Sequence, residues 1–170
     1  LKLARSVRSD GCQSALDMGC GCGFQAIVLA MLGVKTVFAV DIDKRCVAAT
    51  EFNALLNNVS EWTSAKHSVT ALHGDMFEPM EGQKFDLIVS NPPTLPHSDE
   101  TPYYADGGKD GRDFLDRLIE HSSQHLHDHG KLCFIQSTGK WIFIRDQQTN
   151  PRSLQAVLLS SPVLLPKTAH

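Results

Sequence analysis

The strongest constraint in this sequence is a regular alternation of short apolar runs with stretches of helix length. We predict strands over residues 14–18, 37–40, 68–72, 85–90 and 131–136, and helices over residues 24–32, 44–57 and 112–125. Strands that alternate with helices are typical of an α/β domain with a doubly wound, mostly parallel sheet. In such a sheet the ligand binds at the carboxyl ends of the strands, so we expect the functional site there.

A glycine-rich loop follows the first predicted strand and contains Gly19, Gly21 and Gly23. Glycines at this point allow a tight turn and let a ligand approach the backbone closely. The spacing is GxGxG, which differs from the GxGxxG fingerprint that holds a pyrophosphate at a helix N-terminus. Asp17, at the strand end, would repel a pyrophosphate but suits a ligand that carries an ammonium and a sulfonium. These charges favour S-adenosylmethionine as the cofactor.

Two further aspartates follow the next two predicted strands. Asp41 ends the second strand, 24 residues after Asp17, where a carboxylate can accept both ribose hydroxyls. Asp75 follows the third strand, where it can accept a hydrogen bond from an adenine amino group. Any one of these aspartates alone would be interpreted as a helix cap or a turn residue. Three of them at successive strand ends predict a cofactor site.

Composition excludes some classes of protein. The formal net charge is −3, so the chain lacks the strongly basic character that favours a nucleic-acid partner. No apolar stretch approaches the roughly 20 residues that span a bilayer, and the first ten residues lack the apolar centre of a signal peptide. The five cysteines lack the paired CxxC spacing of a zinc ribbon. We therefore expect a cytoplasmic protein with neither a membrane nor a metal partner.

The length of the chain suits one domain, because a domain near 170 residues buries roughly 70% of its unfolded surface. We predict a single domain over residues 1–170, with the motifs between residues 14 and 138. Residues 1–10 have helical spacing, which predicts that the chain begins inside a helix. The pattern weakens after Gly139: residues 141–144 suggest a strand, and residues 151–166 mix apolar runs with breakers. Truncation at both ends is compatible with this pattern.

Four segments, LDMGCGCG, VFAVDID, HGDMF and FDLIVSNPP, together resemble the class I methyltransferases in order and spacing. The resemblance implies a Rossmann-like fold and S-adenosylmethionine as the cofactor. It assigns eight residues to the cofactor: Asp17, Gly19, Gly21, Gly23, Asp41, Ile42, Asp75 and Met76. It implies that the glycines lie along the methionine part, Asp17 near its amino group and Asp41 at the ribose. Ile42 would pack on the adenine face, and Asp75 and the Met76 backbone would read the adenine edge.

The motif Asn91-Pro92-Pro93 follows the fourth predicted strand and resembles the NPPY motif of enzymes that methylate an amide or nucleobase nitrogen. Such a nitrogen is a poor nucleophile because its lone pair is delocalised. The Asn91 side-chain oxygen and the Pro92 carbonyl can accept both N–H groups and localise the lone pair, while the prolines stiffen the loop. The simpler interpretation is a strand-ending turn. Thr94 stands where the motif has an aromatic residue, and Tyr103 or Tyr104 is a candidate replacement.

Residues 105–111, with the sequence ADGGKDG, resemble the segment that follows NPPY in release-factor glutamine methyltransferases. This resemblance favours a protein glutamine, or a similar amide, as the methyl acceptor. A glycine-rich connection that caps the next helix is the alternative interpretation. Three other functions stay open at this point: an RNA or DNA amino-methyltransferase, a catalytically silent methyltransferase-like subunit, and an NAD(P)-dependent oxidoreductase.

A local group of histidines invites a metal interpretation. The group consists of His121, His125, His127 and His129, and its first two members have the i, i+4 spacing of a helical metal pair. The group lacks the glutamate of HExxH and precedes the fifth predicted strand, at the end of the sheet opposite the cofactor. We therefore predict no metal site there.

Overall fold

The computed structural model describes residues 11–63, 66–135, 141–145 and 155–159. In these ranges the chain forms seven strands, β1 (Ser14–Met18), β2 (Thr36–Asp41), β3 (Ser68–His73), β4 (Phe85–Ser90), β5 (Leu126–Ile135), β6 (Trp141–Arg145) and β7 (Gln155–Leu159). The same ranges contain three α-helices, α1 (Phe24–Met31), α2 (Lys44–Leu56) and α3 (Asp113–Ser122). No helix in the described part of the chain is long and apolar enough to cross a membrane.

The strands form one sheet in the order β3-β2-β1-β4-β5-β6-β7. Strands β1 to β5 are parallel, whereas β6 and β7 each pair antiparallel with their neighbour. The strand order reverses direction at β1 and β4, which is the topological switch point where α/β sheets bind ligands. The predicted doubly wound, mostly parallel sheet is therefore confirmed.

Both faces of the parallel sheet are buried, because successive side chains of each strand point to opposite faces. In β1, Ala15 belongs to an apolar cluster that includes residues of α1 and α2, and Leu16 belongs to a second cluster that includes Leu115 and Leu118 of α3. The two clusters place α1 and α2 on one face and α3 on the other. This arrangement brings helices from both faces to the carboxyl edge of the sheet.

The local sequence explains where the helices begin and end. Helix α1 follows Gly23 and stops before Gly33, whose φ of +103° favours glycine. Helix α2 begins after Asp43, whose side chain caps it by accepting a hydrogen bond of 2.8 Å from the Arg45 backbone N–H. These boundaries leave two short loops at the carboxyl edge, one after β1 and one after β2.

The structure corrects several predicted boundaries. The helix predicted over residues 112–125 is α3 followed by a 3-10 turn at Ser123–His125. The fifth strand begins earlier than predicted, because Leu126 pairs with Phe85 before the register of β4 and β5 shifts. Strand β6 confirms the strand suggested over residues 141–144, and part of the segment 151–166 forms β7. The helix predicted over residues 1–10 lies outside the described residues.

Candidate active site

The glycine-rich loop after β1 crosses the end of β2. The backbone N–H groups of Gly19 and Cys20 both donate to the Val40 carbonyl oxygen, at 2.9 and 3.1 Å. The φ angles of Gly19, Gly21 and Gly23 are +73°, +57° and +78°, a region that side-chain-bearing residues rarely adopt. The course of this loop therefore depends on glycine.

Helix α2 holds the loop from one side. The Thr50 hydroxyl donates to the Gly21 carbonyl oxygen at 3.2 Å, and the Asn53 side-chain amide donates to the Cys22 carbonyl oxygen at 2.9 Å. A Cβ atom at Gly23 would lie 2.6 Å from Cγ2 of Thr50, so Gly23 packs against the helix. Thr50 and Asn53 were not among the residues predicted from the sequence. The one available signal is that Thr50 and Ala54, both small and four residues apart, form the buried face of α2.

Asp17 lies beneath the loop with no exposed surface. Its Oδ2 atom accepts a hydrogen bond of 3.0 Å from the Ala26 backbone N–H, while its Oδ1 atom is buried without a partner among the described residues. Burial raises the pKa of Asp17 to about 7 against the effect of the Ala26 hydrogen bond, and the Asp41 carboxylate contributes to the rise. A buried carboxylate with an unused acceptor suits a nearby cation.

A cavity of about 650 Å³ opens at the carboxyl ends of β1 to β4. Eight of the predicted site residues line it: Gly19, Gly21, Asp41, Ile42, Asp75, Met76, Asn91 and Pro93. The other three, Asp17, Gly23 and Pro92, do not. The structure therefore brings eight of the eleven predicted residues to one cavity and leaves three outside its lining.

Asp41 is held in place at the end of β2. Its Oδ2 atom accepts from the Gly21 backbone N–H at 2.9 Å, and its Oδ1 atom accepts from the Asp43 backbone N–H at 2.9 Å. A carboxylate has about four acceptor positions, so each oxygen keeps capacity for one more donor. Ile42 follows with its side chain 54% exposed at the cavity wall.

Helix α3 reaches the same cavity from the other face of the sheet. Arg117 donates to Oδ2 of Asp75 at 2.8 Å, and a Cβ atom at Gly19 would lie 3.5 Å from the Phe114 ring. Both side chains line the cavity. Neither Phe114 nor Arg117 was predicted from the sequence as a site residue. Arg117 is 42 residues from its partner, and no local pattern reports a contact of that kind.

The backbone after Asp75 is unusual, because Met76 has a φ of +52° although it is not a glycine. Non-glycine residues adopt this left-handed conformation at a cost, and they do so most often at turns and functional sites. Met76 is buried and lines the cavity. This strained conformation at the cavity supports the candidate role of Met76 as a cofactor contact.

The motif that contains Asn91 continues from β4 along the cavity. The buried Ser90 hydroxyl donates to the Met18 carbonyl oxygen at 2.8 Å and so joins the ends of β4 and β1. The next residue, Asn91, is exposed and lines the cavity, whereas Pro92 is buried. The motif is therefore placed within one cavity with the loop after β1.

We call residues 94–111 the strap. It is folded back on itself: the Leu95 N–H donates to the Ala105 carbonyl oxygen at 2.9 Å, and the Gly107 N–H donates to the Leu95 carbonyl oxygen at 2.8 Å. A Cβ atom at Gly111 would lie 2.5 Å from the Thr94 carbonyl oxygen, so the two ends of the strap touch. Tyr103 and Tyr104 line the same cavity as Asn91.

The charges around the cavity are strongly unbalanced. Its charged lining consists of five carboxylates and one guanidinium: Asp41, Asp43, Asp75, Asp106, Asp113 and Arg117. The guanidinium is paired with Asp75, and two other lining carboxylates have partners outside the lining, Asp43 with Arg45 and Asp106 with His97. Asp41 and Asp113 form no ion pair among the described residues. Clefts lined by one sign of charge concentrate ligands of the opposite sign. The cavity therefore favours a cation and disfavours a diphosphate.

The histidine group lies away from this cavity and has structural contacts. The His125 ring stacks on Phe77, with centroids 4.4 Å apart, and its Nδ1 atom lies 3.1 Å from the Gln83 carbonyl oxygen. Within the described ranges, no group of three or more His, Cys, Asp or Glu side chains is arranged to hold a metal ion.

Comparison with known proteins gives the family. The sequence model of the family described as "Methyltransferase small domain" matches residues 3–143, so the chain belongs to that family. A Methanocaldococcus jannaschii protein, provisionally named as a protein N5-glutamine methyltransferase, is 36% identical over 132 residues, which are 74% of this chain and 62% of that protein. The release factor glutamine methyltransferase of Geobacter sulfurreducens is 34% identical over 137 residues, 74% of this chain and 45% of that enzyme.

Solved structures agree with the fold. The ribosomal protein L11 methylase from Lactobacillus delbrueckii subsp. bulgaricus aligns with a TM-score of 0.53 at 27% identity, over 71% of this chain and 50% of the other. A methyltransferase from Pyrococcus furiosus aligns with a TM-score of 0.54, over 78% and 61% of the two chains. The predicted class I methyltransferase fold is confirmed. The chain spans 62% or less of the length of the two curated relatives above.

Proposed function

We propose that this chain transfers a methyl group from S-adenosylmethionine to the side-chain amide nitrogen of a glutamine in a protein. The observation that carries the proposal is the position of Asn91 and Pro93 in one anionic cavity with the glycine loop and with Asp41 and Asp75. A motif for a weakly nucleophilic nitrogen and a set of candidate cofactor contacts thus share a single space.

The cavity fits the proposed cofactor. When bound, S-adenosylmethionine would supply an electrophilic methyl group on a sulfonium, together with an ammonium. The unused Oδ1 acceptor of buried Asp17 and the excess of carboxylates in the lining favour these positive charges. Gly21 leaves open space where a Cβ would lie, so a ligand can approach the loop backbone. The same charges disfavour the diphosphate of a nicotinamide cofactor.

Different residues would hold different parts of the cofactor. Asp41 would accept the ribose hydroxyls with the acceptor positions that Gly21 and Asp43 leave free. Ile42 would contact the adenine face, and Asp75 with the Met76 backbone would contact the adenine edge. Gly19 and Gly21 would lie along the methionine part, which Asp17 and Gly23 support from behind the loop.

The acceptor amide would be held at the motif after β4. The Asn91 side-chain oxygen and the Pro92 carbonyl would accept the two N–H groups of the amide, which returns electron density to nitrogen. After methyl transfer, which leaves S-adenosylhomocysteine, the methylated nitrogen, now strongly acidic, would release one of these two protons to solvent. Pro93 would form the adjoining wall and keep the loop rigid. Orientation of the reacting atoms can supply up to about 7–11 kcal/mol in favourable systems, so positioning is a sufficient source of catalysis here.

The preference for a glutamine comes from the relatives. Six relatives that are 30–36% identical to this chain are named as protein N5-glutamine, release factor glutamine or ribosomal protein uL3 glutamine methyltransferases. Their named acceptors are proteins, and a protein acceptor also suits an anionic cavity better than a nucleic acid does. An acceptor from the translation machinery would agree with the predicted cytoplasmic location. We further propose that residues 1–170 act as one domain in this reaction.

The proposed role of Asn91 can be tested directly. Asn91→Ala removes one acceptor of the amide protons and should lower turnover at least about 100-fold, the usual effect of losing one preorganised group. Asn91 is exposed, so the dissociation constant of the cofactor should stay within about twofold of the wild-type value. Turnover is measured as transfer of a labelled methyl group to protein in a cell extract.

The control for this experiment is Asn58→Ala, which changes an exposed asparagine remote from the cavity. Because Asn58 has a φ of +54°, this control also reports how much a local backbone change alone affects turnover. Wild-type turnover in Asn91→Ala would contradict the role of the motif. Label that accumulates in RNA or DNA would contradict the protein acceptor.

A further inference from the structure

The strap is a rigid and exposed surface at the mouth of the cavity. Besides the two backbone hydrogen bonds of Leu95, the His97 N–H donates to the Gly108 carbonyl oxygen at 2.8 Å. The Asp106 carboxylate lies 2.6 Å from Nδ1 of His97 and accepts from the Gly108 N–H at 2.9 Å. Residues 95–97 and 105–108 are therefore joined by both backbone and side-chain contacts. A segment fixed in this way can present side chains in a defined geometry.

Two tyrosines of the strap stand at the cavity with most of their surface in solvent. Tyr103 is 69% exposed and Tyr104 is 83% exposed, on a 3-10 turn directly before Ala105. Large exposed rings contribute little to the core of a protein. At interfaces they supply apolar contact area at a low entropic cost, and their faces attract cations.

The charge of the strap is negative. Residues 94–111 contain four carboxylates and one ammonium: Asp99, Glu100, Asp106, Asp110 and Lys109. Asp99, Glu100 and Asp110 are exposed, and within the described ranges they form no ion pair. The Asp106 carboxylate, which does have partners, faces the cavity that contains Asn91. An approaching segment therefore meets negative charge both outside and inside the mouth.

We propose that the strap is the docking surface for a basic segment of the acceptor protein, with Lys or Arg residues close in sequence to the methylated glutamine. This inference rests on the proposed function and names its substrate class. The carboxylates attract the basic segment, and the Tyr103 and Tyr104 faces contact its side chains or the planar amide beside Asn91. A nucleic-acid strand would meet the same carboxylates with its phosphates and be repelled.

The experiment measures binding and turnover separately. Fluorescent peptides that contain one glutamine, flanked by lysines, serines or glutamates, are titrated with the 170-residue chain in S-adenosylhomocysteine, and binding is followed by anisotropy. Methylation of the same peptides is followed by mass spectrometry with S-adenosylmethionine. The lysine peptide should bind at least about tenfold more tightly than the glutamate peptide, and added salt should reduce the difference.

Matched variants locate the effect. The double variant Asp99→Asn/Glu100→Gln removes two exposed strap charges and should reduce the preference for the lysine peptide about threefold to tenfold. The control Glu51→Gln/Glu81→Gln removes two exposed carboxylates outside the strap and cavity. It should leave the preference for the lysine peptide unchanged. Tyr104→Ala should weaken peptide binding about fivefold to twentyfold, and Tyr104→Phe should retain the wild-type affinity.

The outcomes separate the two proposals. Equal binding of the three peptides, equal effects of the strap and control variants, or tighter binding of an RNA oligonucleotide would overturn the docking surface. Strap-dependent binding without methylation of any glutamine peptide or protein would contradict the proposed function and leave the docking surface intact. Methylation of a glutamine that is unaffected by the strap variants would overturn the docking surface and leave the proposed function intact.

Discussion

The two sides of the cavity are built in different ways. The cofactor side consists of residues 17–23 with Asp41 and Asp75, and the acceptor side consists of residues 91–93 with the strap. On the cofactor side, the end of β2 holds the loop through backbone hydrogen bonds, and the Thr50 side chain of α2 donates to it. Asp17 beneath the loop is fully buried. On the acceptor side, the strap is held by its own hydrogen bonds and exposes Tyr103 and Tyr104.

This difference shows which side of the cavity tolerates change. Tight packing leaves no room for another heavy atom at Gly23, whereas substitutions at the exposed strap residues disturb no core. A cofactor side of fixed shape with a variable acceptor side would allow one chemistry to serve different acceptors. Substitutions in the packed glycine loop should therefore affect folding and cofactor binding together. Substitutions on the acceptor side should affect acceptor binding and turnover with little effect on folding.

The largest effect is expected for Gly23→Ala. The new Cβ would lie 2.6 Å from Cγ2 and 2.8 Å from Oγ1 of Thr50, at a φ of +78°. Strain and overpacking together should lower the free energy of unfolding by about 2–4 kcal/mol and weaken cofactor binding at least about tenfold. The free energy is measured by chemical denaturation, and the dissociation constant is measured by calorimetry.

Gly21→Ala is the matched control, because Gly21 also has a positive φ but open space around the new Cβ. It should lose only about 1 kcal/mol of stability, from backbone strain alone. Adding Thr50→Ala to Gly23→Ala should recover part of the loss by removing two of the clashing atoms. Equal destabilisation by Gly23→Ala and Gly21→Ala would show that packing against α2 does not matter.

The next effect concerns Asp17 and pH. Since burial raises its pKa to about 7, the ligand-free protein binds a proton there at lower pH, and a cationic cofactor must displace it. Cofactor affinity should therefore rise at least about tenfold between about pH 5.5 and about pH 8 and level off at higher pH. Calorimetry across this range measures the change, and Asp17→Asn should bind more weakly with a flatter profile.

The same titration of Asp17 should change folding stability in the opposite direction to cofactor affinity. In the ligand-free protein the folded-state pKa lies above the ordinary value, so the folded state binds the proton more tightly than the unfolded state does. The free energy of unfolding should then fall as pH rises from about 4 to about 7, and Asp17→Asn should remove this fall. Asp128→Asn, an exposed position on β5, is the control. A rise of stability over that range in the wild type alone, with a flat Asp17→Asn profile, would contradict the buried carboxylate.

The sequence predicted the parts of the site that strand topology determines. Asp17, Asp41 and Asp75 follow successive strands, and parallel strands bring their carboxyl ends to one edge whatever the details of packing. The strand predicted over residues 85–90 has the observed boundaries, so Asn91 was also placed correctly. An apolar run of strand length and a polar residue at its end are local signals, which explains why these positions could be predicted.

The sequence could not predict contacts between distant segments. Thr50 meets Gly21 across 29 residues and Arg117 meets Asp75 across 42, and neither contact leaves a local pattern. Gly23, predicted as a cofactor contact, does not line the cavity, and its contact with Thr50 is visible only in the packed structure. The path of the strap depends on hydrogen bonds among its own residues, so the position of its two tyrosines also required the structure.

The smallest effect is expected for Arg117→Ala, at the point where helix α3 meets the cofactor side. Arg117 donates to one carboxylate oxygen of Asp75. The Arg117 and Asp75 side chains are 50% and 38% exposed, so solvent screening keeps the loss of stability in Arg117→Ala below about 1 kcal/mol. Without Arg117 the Asp75 carboxylate loses its fixed orientation, and S-adenosylhomocysteine should bind about twofold to fivefold more weakly. S-adenosylmethionine should lose less affinity, because removing a cation from the lining favours its sulfonium.

Calorimetry with both ligands measures this difference. The control is Arg112→Ala, which breaks the Arg112–Asp116 pair at the start of the same helix and should change neither affinity. Equal losses for the two ligands would mean that Arg117 orients Asp75 without contributing to the charge selectivity of the cavity.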